Sequence, residues 1–159
     1  MPDQIKAIET KILDRFSAVA SSIGYSPLHG KIIAILLVRQ KPMSLNEIAK
    51  ETGYSPGMIS LSFDLLEVLG VIRKVKKSGD RKLYVELSGD LLEALKNAIL
   101  VKLSKSISLS LSEFSEGRQS LEKIHGQESK RVLKTISTLE KEIQRLKTYV
   151  DLLSKTRLP

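Results

Sequence analysis

Apolar residues near the N-terminus recur at helical spacing and predict two helices before residue 42. The first covers residues 3–23 and stops at Gly24. The second begins with Ser26 as N-cap and Pro27 at the first helical position, and it ends near Pro42. The first helix carries one apolar stripe, made of Ile5, Ile8, Ile12, Phe16, Val19 and Ile23. The second directs Leu28, Ile32, Ile35 and Leu36 inward.

Two further helices, separated by a tight turn, follow in the pattern of a helix-turn-helix. Ser44 and Glu47 form an S-x-x-E capping box at the start of a short helix that Gly53 closes, with Ile48 and Ala49 facing the core. Ser55 caps the next helix and Gly70 ends it. Its expected buried stripe is Ile59, Phe63, Leu66 and Leu69. The opposite face carries Gly57, Met58, Ser60, Leu61, Ser62 and Asp64.

A basic hairpin comes directly after this helix. Residues 71–77 and 82–87 alternate as strands around a turn at 78–81. The net charge is +8, and residues 71–90 hold six bases against three acids, whereas residues 41–70 hold two bases against four acids. The positive charge therefore lies on the hairpin, and it favours a polyanionic partner. A helix followed by a charged wing is the order of a winged helix-turn-helix.

Beyond Ser88 the chain is again helical. One apolar stripe runs to Gly117 and consists of Leu92, Leu95, Ile99, Leu103, Ile107, Leu111 and Phe114. A heptad seam, the pattern of a coiled coil, then follows: Val132, Ile136, Leu139, Ile143, Leu146, Val150 and Leu153. This seam either packs within a helical hairpin of one subunit or pairs with a second subunit, and a winged helix of this size favours dimerisation.

The predicted fold class is mainly α with a small β-hairpin wing, a winged helix-turn-helix flanked by long dimerisation helices. Residues 1–88 are expected to form the DNA-binding domain, with residues 1–24 also contributing to the dimer. Residues 89–159 are expected to form the helical dimerisation region.

The sequence lacks the residues that metal sites, catalysis, membrane insertion and binding of single-stranded nucleic acid would need. The chain has no cysteine, and His29 and His125 have no ligand-type neighbours, so no metal site and no cofactor is expected. No nucleophile elbow, phosphate loop or acid pair is present, so we expect no enzyme. The longest apolar run, residues 32–38, is too short for a membrane span, and a cytoplasmic location is expected. Aromatic residues are too few for a base-stacking platform.

Four sequence stretches resemble the MarR-like regulators of the GbsR branch. They are S-P-L-H-G-K-I-I-A-I-L-L from Ser26, P-M-S-L-N-E-I-A-K-E-T-G from Pro42, S-P-G-M-I-S-L-S-F-D-L-L-E-V-L-G-V-I from Ser55 and S-G-D-R-K-L-Y from Ser78. The resemblance covers residues 24–87 and implies a homodimeric transcriptional regulator whose two wings straddle a pseudo-palindromic operator. Pro56, Met58 and Asp64 depart from it, since the family commonly has Lys, Asn and Arg there.

These departures move the expected grip on DNA from the helix to the wing. Arg81 is placed for the minor groove, and Lys76, Lys77 and Lys82 for phosphates. Met58 and Leu61 are placed for thymine methyl groups, while Asp64 is expected to be a solvated or cap-pairing residue and not a DNA ligand. Ser44 is a minor candidate for a phosphate contact, with a plain N-cap as the alternative. The expected DNA-contacting residues are Ser44, Ser55, Gly57, Met58, Ser60, Leu61, Ser62, Lys76, Lys77, Arg81 and Lys82.

Three functions fit the pattern. The first is a homodimeric transcriptional regulator that binds double-stranded DNA, with no pocket residue that identifies a small-molecule effector. The second is a nucleoid-associated or architectural protein that binds duplex DNA with little sequence preference. The third is a winged-helix module that docks a protein through its net-acidic helix-turn-helix.

Overall fold

The computed structural model describes residues 1–159, and the chain divides into two compact units, Met1–Leu95 and Lys96–Pro159. No helix is both long enough and apolar enough to cross a membrane. The elements in chain order are α1 Pro2–Ser22, α2 Pro27–Arg39, β1 Met43–Ser44, α3 Leu45–Thr52, α4 Pro56–Val68, β2 Ile72–Val75, β3 Tyr84–Leu87, α5 Leu91–Glu122 and α6 Gln127–Lys155.

The predicted helix caps of the first unit are confirmed. The hydroxyl of Ser26 accepts the N–H of Leu28, and the hydroxyl of Ser55 accepts the N–H of Met58. At the other end of α4, Gly70 adopts a φ of +79°. Its N–H donates to the carbonyl of Glu67, and the next N–H donates to the carbonyl of Leu66. This is a Schellman motif, which reverses the chain directly into β2.

The core of the first unit lies between α2, α3 and α4. All four residues predicted to point inward from α2 are buried. Ile48 of α3 and the predicted stripe of α4 are buried with them, whereas Ala49 is only half-buried. The fully buried side chains here include Leu28, Ile32, Ile35, Ile48, Ile59, Phe63 and Leu66. The stripe of α1 behaves differently, because Ile5 and Ile8 remain 59% and 58% exposed.

Helices α1 and α2 are in close backbone contact at Gly30. A Cβ atom built on Gly30 would overlap the backbone carbonyl of Phe16 and lie 2.8 Å from the backbone nitrogen of Ser17. These are backbone atoms, which move only if the helix moves. Glycine at position 30 therefore sets the distance between the two helices.

The sheet has three strands, where the sequence predicted two. β1 pairs with β3 through Met43 opposite Val85 and Ser44 opposite Tyr84, and the strand order is β1-β3-β2. A two-residue strand is too short to show any alternation, so the hydrophobic pattern carries no signal for it. The wing strands are also shorter than predicted, which leaves residues 76–83 as the wing loop.

The second unit is an antiparallel pair of helices, formed by α6 and most of α5. The guanidinium of Arg118 bonds both carboxylate oxygens of Glu140, at 3.2 and 3.0 Å. Helix α5 continues past Gly117, where the predicted apolar stripe ends, to Glu122. A glycine inside a helix costs about 1 kcal/mol relative to alanine. The many other residues of this long helix offset that cost. Here a Cβ on Gly117 would lie 3.6 Å from the Ile136 side chain, in ordinary contact.

The heptad seam of α6 is divided between two environments. Ile136 and Val150 are buried, and Ile143 and Leu153 pack with Val150 on an α5 cluster that includes Leu100 and Ile107. These four seam residues are therefore already packed against other side chains of the same chain. The other row, which we call the outer row, consists of Val132, Leu139 and Leu146, each 39–40% exposed. The seam as a whole is therefore not a free face: one row closes the hairpin and the outer row stays available.

Two glycine-to-alanine substitutions should change stability in opposite directions. Gly30→Ala forces a methyl group into the backbone of α1 and should lower the free energy of unfolding by roughly 1–3 kcal/mol. Gly117→Ala lies in a helix with room for the methyl group and should raise it by up to about 1 kcal/mol. Urea denaturation followed by circular dichroism measures both. A Gly30→Ala protein as stable as the unmodified one would show that α1 does not pack on α2 as described.

Candidate nucleic-acid interface

The turn between α3 and α4 is fixed by hydrogen bonds of its own residues. Gly53 ends α3 at a φ of +74°, and its N–H donates to the carbonyl of Ala49. The hydroxyl of Thr52 donates to the carbonyl of Ile48 at 2.8 Å and accepts the N–H of Tyr54 at 3.3 Å. α4 thus starts from a defined corner, as a helix-turn-helix requires.

The outward face of α4 is more apolar than the sequence suggested. Met58 is 48% exposed and Leu61 is 72% exposed. Ser60 is half-buried, and the expectation that Ser62 points outward is wrong, because it is only 5% exposed. The reason is helical geometry: Ser62 lies three residues after Ile59 and four before Leu66, which places it inside the buried arc.

The acids of α4 are paired with the base of the wing. The ammonium of Lys74 on β2 lies 2.9 Å from the carboxylate of Asp64 and 3.6 Å from that of Glu67. The hydrogen bond with Asp64 raises the pKa of Lys74. Arg73 pairs with Glu86, which is its neighbour across the strands. Asp64 is thus neither free in solvent nor a cap residue but pairs with the wing, and two of the six hairpin bases are held in ion pairs.

Asp80 organises the wing loop, and sequence reasoning missed its role. One carboxylate oxygen accepts the N–H of Lys82 at 2.9 Å, and the other accepts the hydroxyl of Tyr84 at 2.8 Å. These two bonds, that with Lys82 first, lower the pKa of Asp80. The ammonium of Lys77 lies 4.1 Å from the centre of the Tyr84 ring, a cation–π contact. The sequence did contain a signal for this role, because Asp80 follows the glycine of the predicted turn. Asp side chains in turns often accept hydrogen bonds from nearby backbone N–H groups.

Four bases of the wing loop are exposed and form no ion pair in the structure: Lys76, Lys77, Arg81 and Lys82. All four belong to one eight-residue loop, so their fields add over a small surface. The loop is held in shape by Asp80, and the charge is consequently fixed at one place.

Ser44 lies at the junction of β1 and α3 and is only 3% exposed. Its hydroxyl accepts the N–H of Glu47 at 3.1 Å, and its own N–H donates to the Glu47 carboxylate at 2.8 Å. Both groups that a phosphate contact would use are thus engaged in the capping box. This geometry favours the plain N-cap for Ser44.

Comparison with known proteins places the fold. No family model and no curated protein matches the chain. A crystal structure described as that of a transcriptional regulator superposes with a TM-score of 0.63 at 20% sequence identity, over 92% of this chain and 96% of that one. The fold is a winged helix-turn-helix with long C-terminal helices, shared with that structure.

Two other solved structures show a weaker likeness. Apo MarR from E. coli gives a TM-score of 0.44 at 13% identity, over 91% of this chain and 95% of that chain. A point mutant of S. aureus MepR, bound to an oligodeoxyribonucleotide, gives 0.43 at 18% identity, over 91% and 94%.

The capping box should make stability depend on pH in a defined direction. The backbone hydrogen bond from Ser44 lowers the pKa of Glu47, so the stabilisation is present above the ordinary carboxyl pKa and is lost as pH falls through the lowered value. Glu47→Gln should therefore have a lower Tm than the unmodified protein at neutral pH. The difference between the two should shrink in acid. A difference in Tm that stays constant between neutral and acidic pH would contradict an ionised capping box.

Proposed function

We propose that the protein is a cytoplasmic, homodimeric transcriptional regulator of the GbsR branch that binds a pseudo-palindromic site in double-stranded DNA. The observation that carries this proposal is the pairing of charges around α4. Lys74 pairs with both acids of the helix, while Lys76, Lys77, Arg81 and Lys82 form no ion pair on a loop of fixed shape. A rigid positive loop beside an exposed helix fits the backbone and major groove of a duplex.

In this proposal the two parts of the interface have separate tasks. The first turns of α4 enter the major groove, with Ser55, Gly57, Met58, Ser60 and Leu61 nearest to the bases. Arg81 reaches the minor groove, where the potential is most negative when the groove is narrow. Lys76, Lys77 and Lys82 contact phosphates and release counterions.

The proposed dimer uses the apolar surfaces that the single chain leaves open. The outer row of α6 and the exposed Ile5 and Ile8 of α1 are such surfaces. Residues 89–159 would form the main dimerisation region, and residues 1–24 would add to it, leaving residues 25–88 for DNA. Covering aliphatic side chains of this size contributes about 25 cal/mol for each Å² of apolar surface removed from water.

Replacing Arg81 tests the wing. Arg81→Ala should weaken duplex binding and reduce the slope of log affinity against log salt by about one for each subunit, because one phosphate-region contact is lost. Arg73→Ala is the matched control, since Arg73 is paired with Glu86 and should contribute little to the slope. Fluorescence polarisation at several salt concentrations measures both. An unchanged slope for Arg81→Ala would remove the wing loop from the interface.

Replacing the outer row tests the dimer. Leu139→Glu with Leu146→Glu should shift the full-length chain from dimer to monomer, because each carboxylate would be buried in an apolar contact. Thr138→Glu with Thr148→Glu adds the same charge at exposed positions on the polar side of α6 and should leave the dimer intact. Sedimentation velocity at matched concentrations gives the result. Equal dimer fractions for the two double variants would show that α6 is not the interface.

A second candidate function follows from the chemistry of α4. Its only charged residues are the acids Asp64 and Glu67, and it has no Arg, Lys, Asn or Gln to bond a base edge in two places. An architectural protein that binds duplex DNA with little sequence preference would not need side chains that bond base edges. Selection of bound sequences from a random duplex library separates the functions: an enriched palindrome supports the regulator, and unselective recovery supports the architectural role. Failure to bind any duplex would leave the protein-interaction module.

A further inference from the structure

The first two turns of α4 offer almost no hydrogen-bonding group to a base. The hydroxyl of Ser55 is engaged by the N–H of Met58 at 3.3 Å, and Ser62 is buried. Ser60 is half-buried. What the helix does expose there are the thioether and methyl groups of Met58 and Leu61, at 48% and 72% of their full area.

The acid next in line on this face is partly engaged by a lysine. A carboxylate reads cytosine by accepting from its N4 amino group. One carboxylate oxygen of Asp64 accepts from the Lys74 ammonium at 2.9 Å, so a contact with cytosine would fall to the other oxygen. The outward face of α4 therefore offers one partly engaged acid and no side chain that bonds a base edge in two places.

One base carries an apolar group in the major groove: thymine, through its C5-methyl group. Met58 and Leu61 are three residues apart, about 4.5 Å along the helix, which is close to the spacing of neighbouring base pairs. Gly57, one residue before Met58, has nothing within 4 Å of where a Cβ would lie. It leaves open space in which DNA can come close to the helix backbone.

We propose that α4 recognises the C5-methyl groups of one or two adjacent thymines in each half-site, so that the target is an A·T-rich duplex selected by methyl contact. The proposal rests on the proposed binding of duplex DNA and names the feature that is read. The wing loop supplies a grip that is independent of sequence, and Met58 and Leu61 supply the preference.

Removing the methyl group alone tests this. The full-length protein is titrated with a pool of random A·T duplexes, long enough for two half-sites one helical turn apart, and with the same pool made with deoxyuridine in place of thymidine. Burial of one methyl group is worth a factor of about four, so two helices should bind the uracil pool at least roughly tenfold more weakly. Equal binding to both pools overturns the inference and leaves the proposed function standing. Binding to neither pool at low salt overturns the proposed function itself.

A second pair of duplexes separates methyl contact from groove shape. Inosine·cytosine pairs lack the minor-groove amino group of G·C, and inosine·5-methylcytosine pairs differ from them by the major-groove methyl alone. Tighter binding to the methylated duplex, by a factor of about four for each methyl contacted, supports the inference. Equal binding to these two duplexes overturns it in favour of readout through shape.

Matched variants assign the effect to residues. Leu61→Ala should reduce the ratio of thymine to uracil affinity, because the contacting side chain is shortened while the fold keeps its core. Val68→Ala lies two turns further along the same face and is 82% exposed, so it should leave the ratio unchanged. Circular dichroism confirms that both variants fold. A ratio unaffected by Leu61→Ala overturns the assignment to α4.

Discussion

The pairing of β1 with β3 is the constraint on which the candidate interface depends. Ser44 caps α3 and at the same time lies opposite Tyr84 in the sheet. The hydroxyl of Tyr84 in turn holds Asp80, which shapes the wing loop. A continuous set of contacts thus runs from the helix-turn-helix to the tip of the wing, and two residues of strand connect them. The same hairpin is held to α4 through the pairing of Lys74 with Asp64 and Glu67, so the charges of the loop have a defined position relative to the helix.

The ion pairs near α4 and the wing determine where net charge lies on the surface. They have little effect on the stability of the fold. The pairs of Lys74 with Asp64 and of Arg73 with Glu86 are exposed, and exposed ion pairs add little to stability because water screens them. Their consequence is electrostatic: they cancel charge beside α4 and leave it on the wing loop. A helix whose two acids share one lysine lies beside a strongly positive loop, although acids and bases alternate over short distances in the sequence. In the proposed complex with DNA, the loop would supply affinity and the helix would supply sequence preference, so substitutions can test the two separately.

Local patterns were enough to predict the helices and most of their ends, because a cap involves residues two to four positions apart. Ser26, Ser44 and Ser55 each form the predicted bond. What the sequence did not reveal depends on residues distant along the chain: the strand β1, the pairing of Asp64 with Lys74, and the division of the heptad seam. The burial of Ser62 is a different case, since helical spacing from Ile59 and Leu66 was sufficient to predict it. The residues assigned to DNA contact stay predictions.

The apolar rows and the net charge of +8 bear on assembly together. Two such chains repel each other, but at physiological salt the repulsion is screened beyond about 8 Å, so contact surfaces decide whether they associate. The outer row of α6 is independent of the hairpin core, since Ile136 and Val150 close that core without it. A polyanion that binds two wings at once neutralises the remaining repulsion and stabilises the dimer over the monomer. In the proposed dimer, duplex binding and dimerisation through the apolar outer row should therefore reinforce each other.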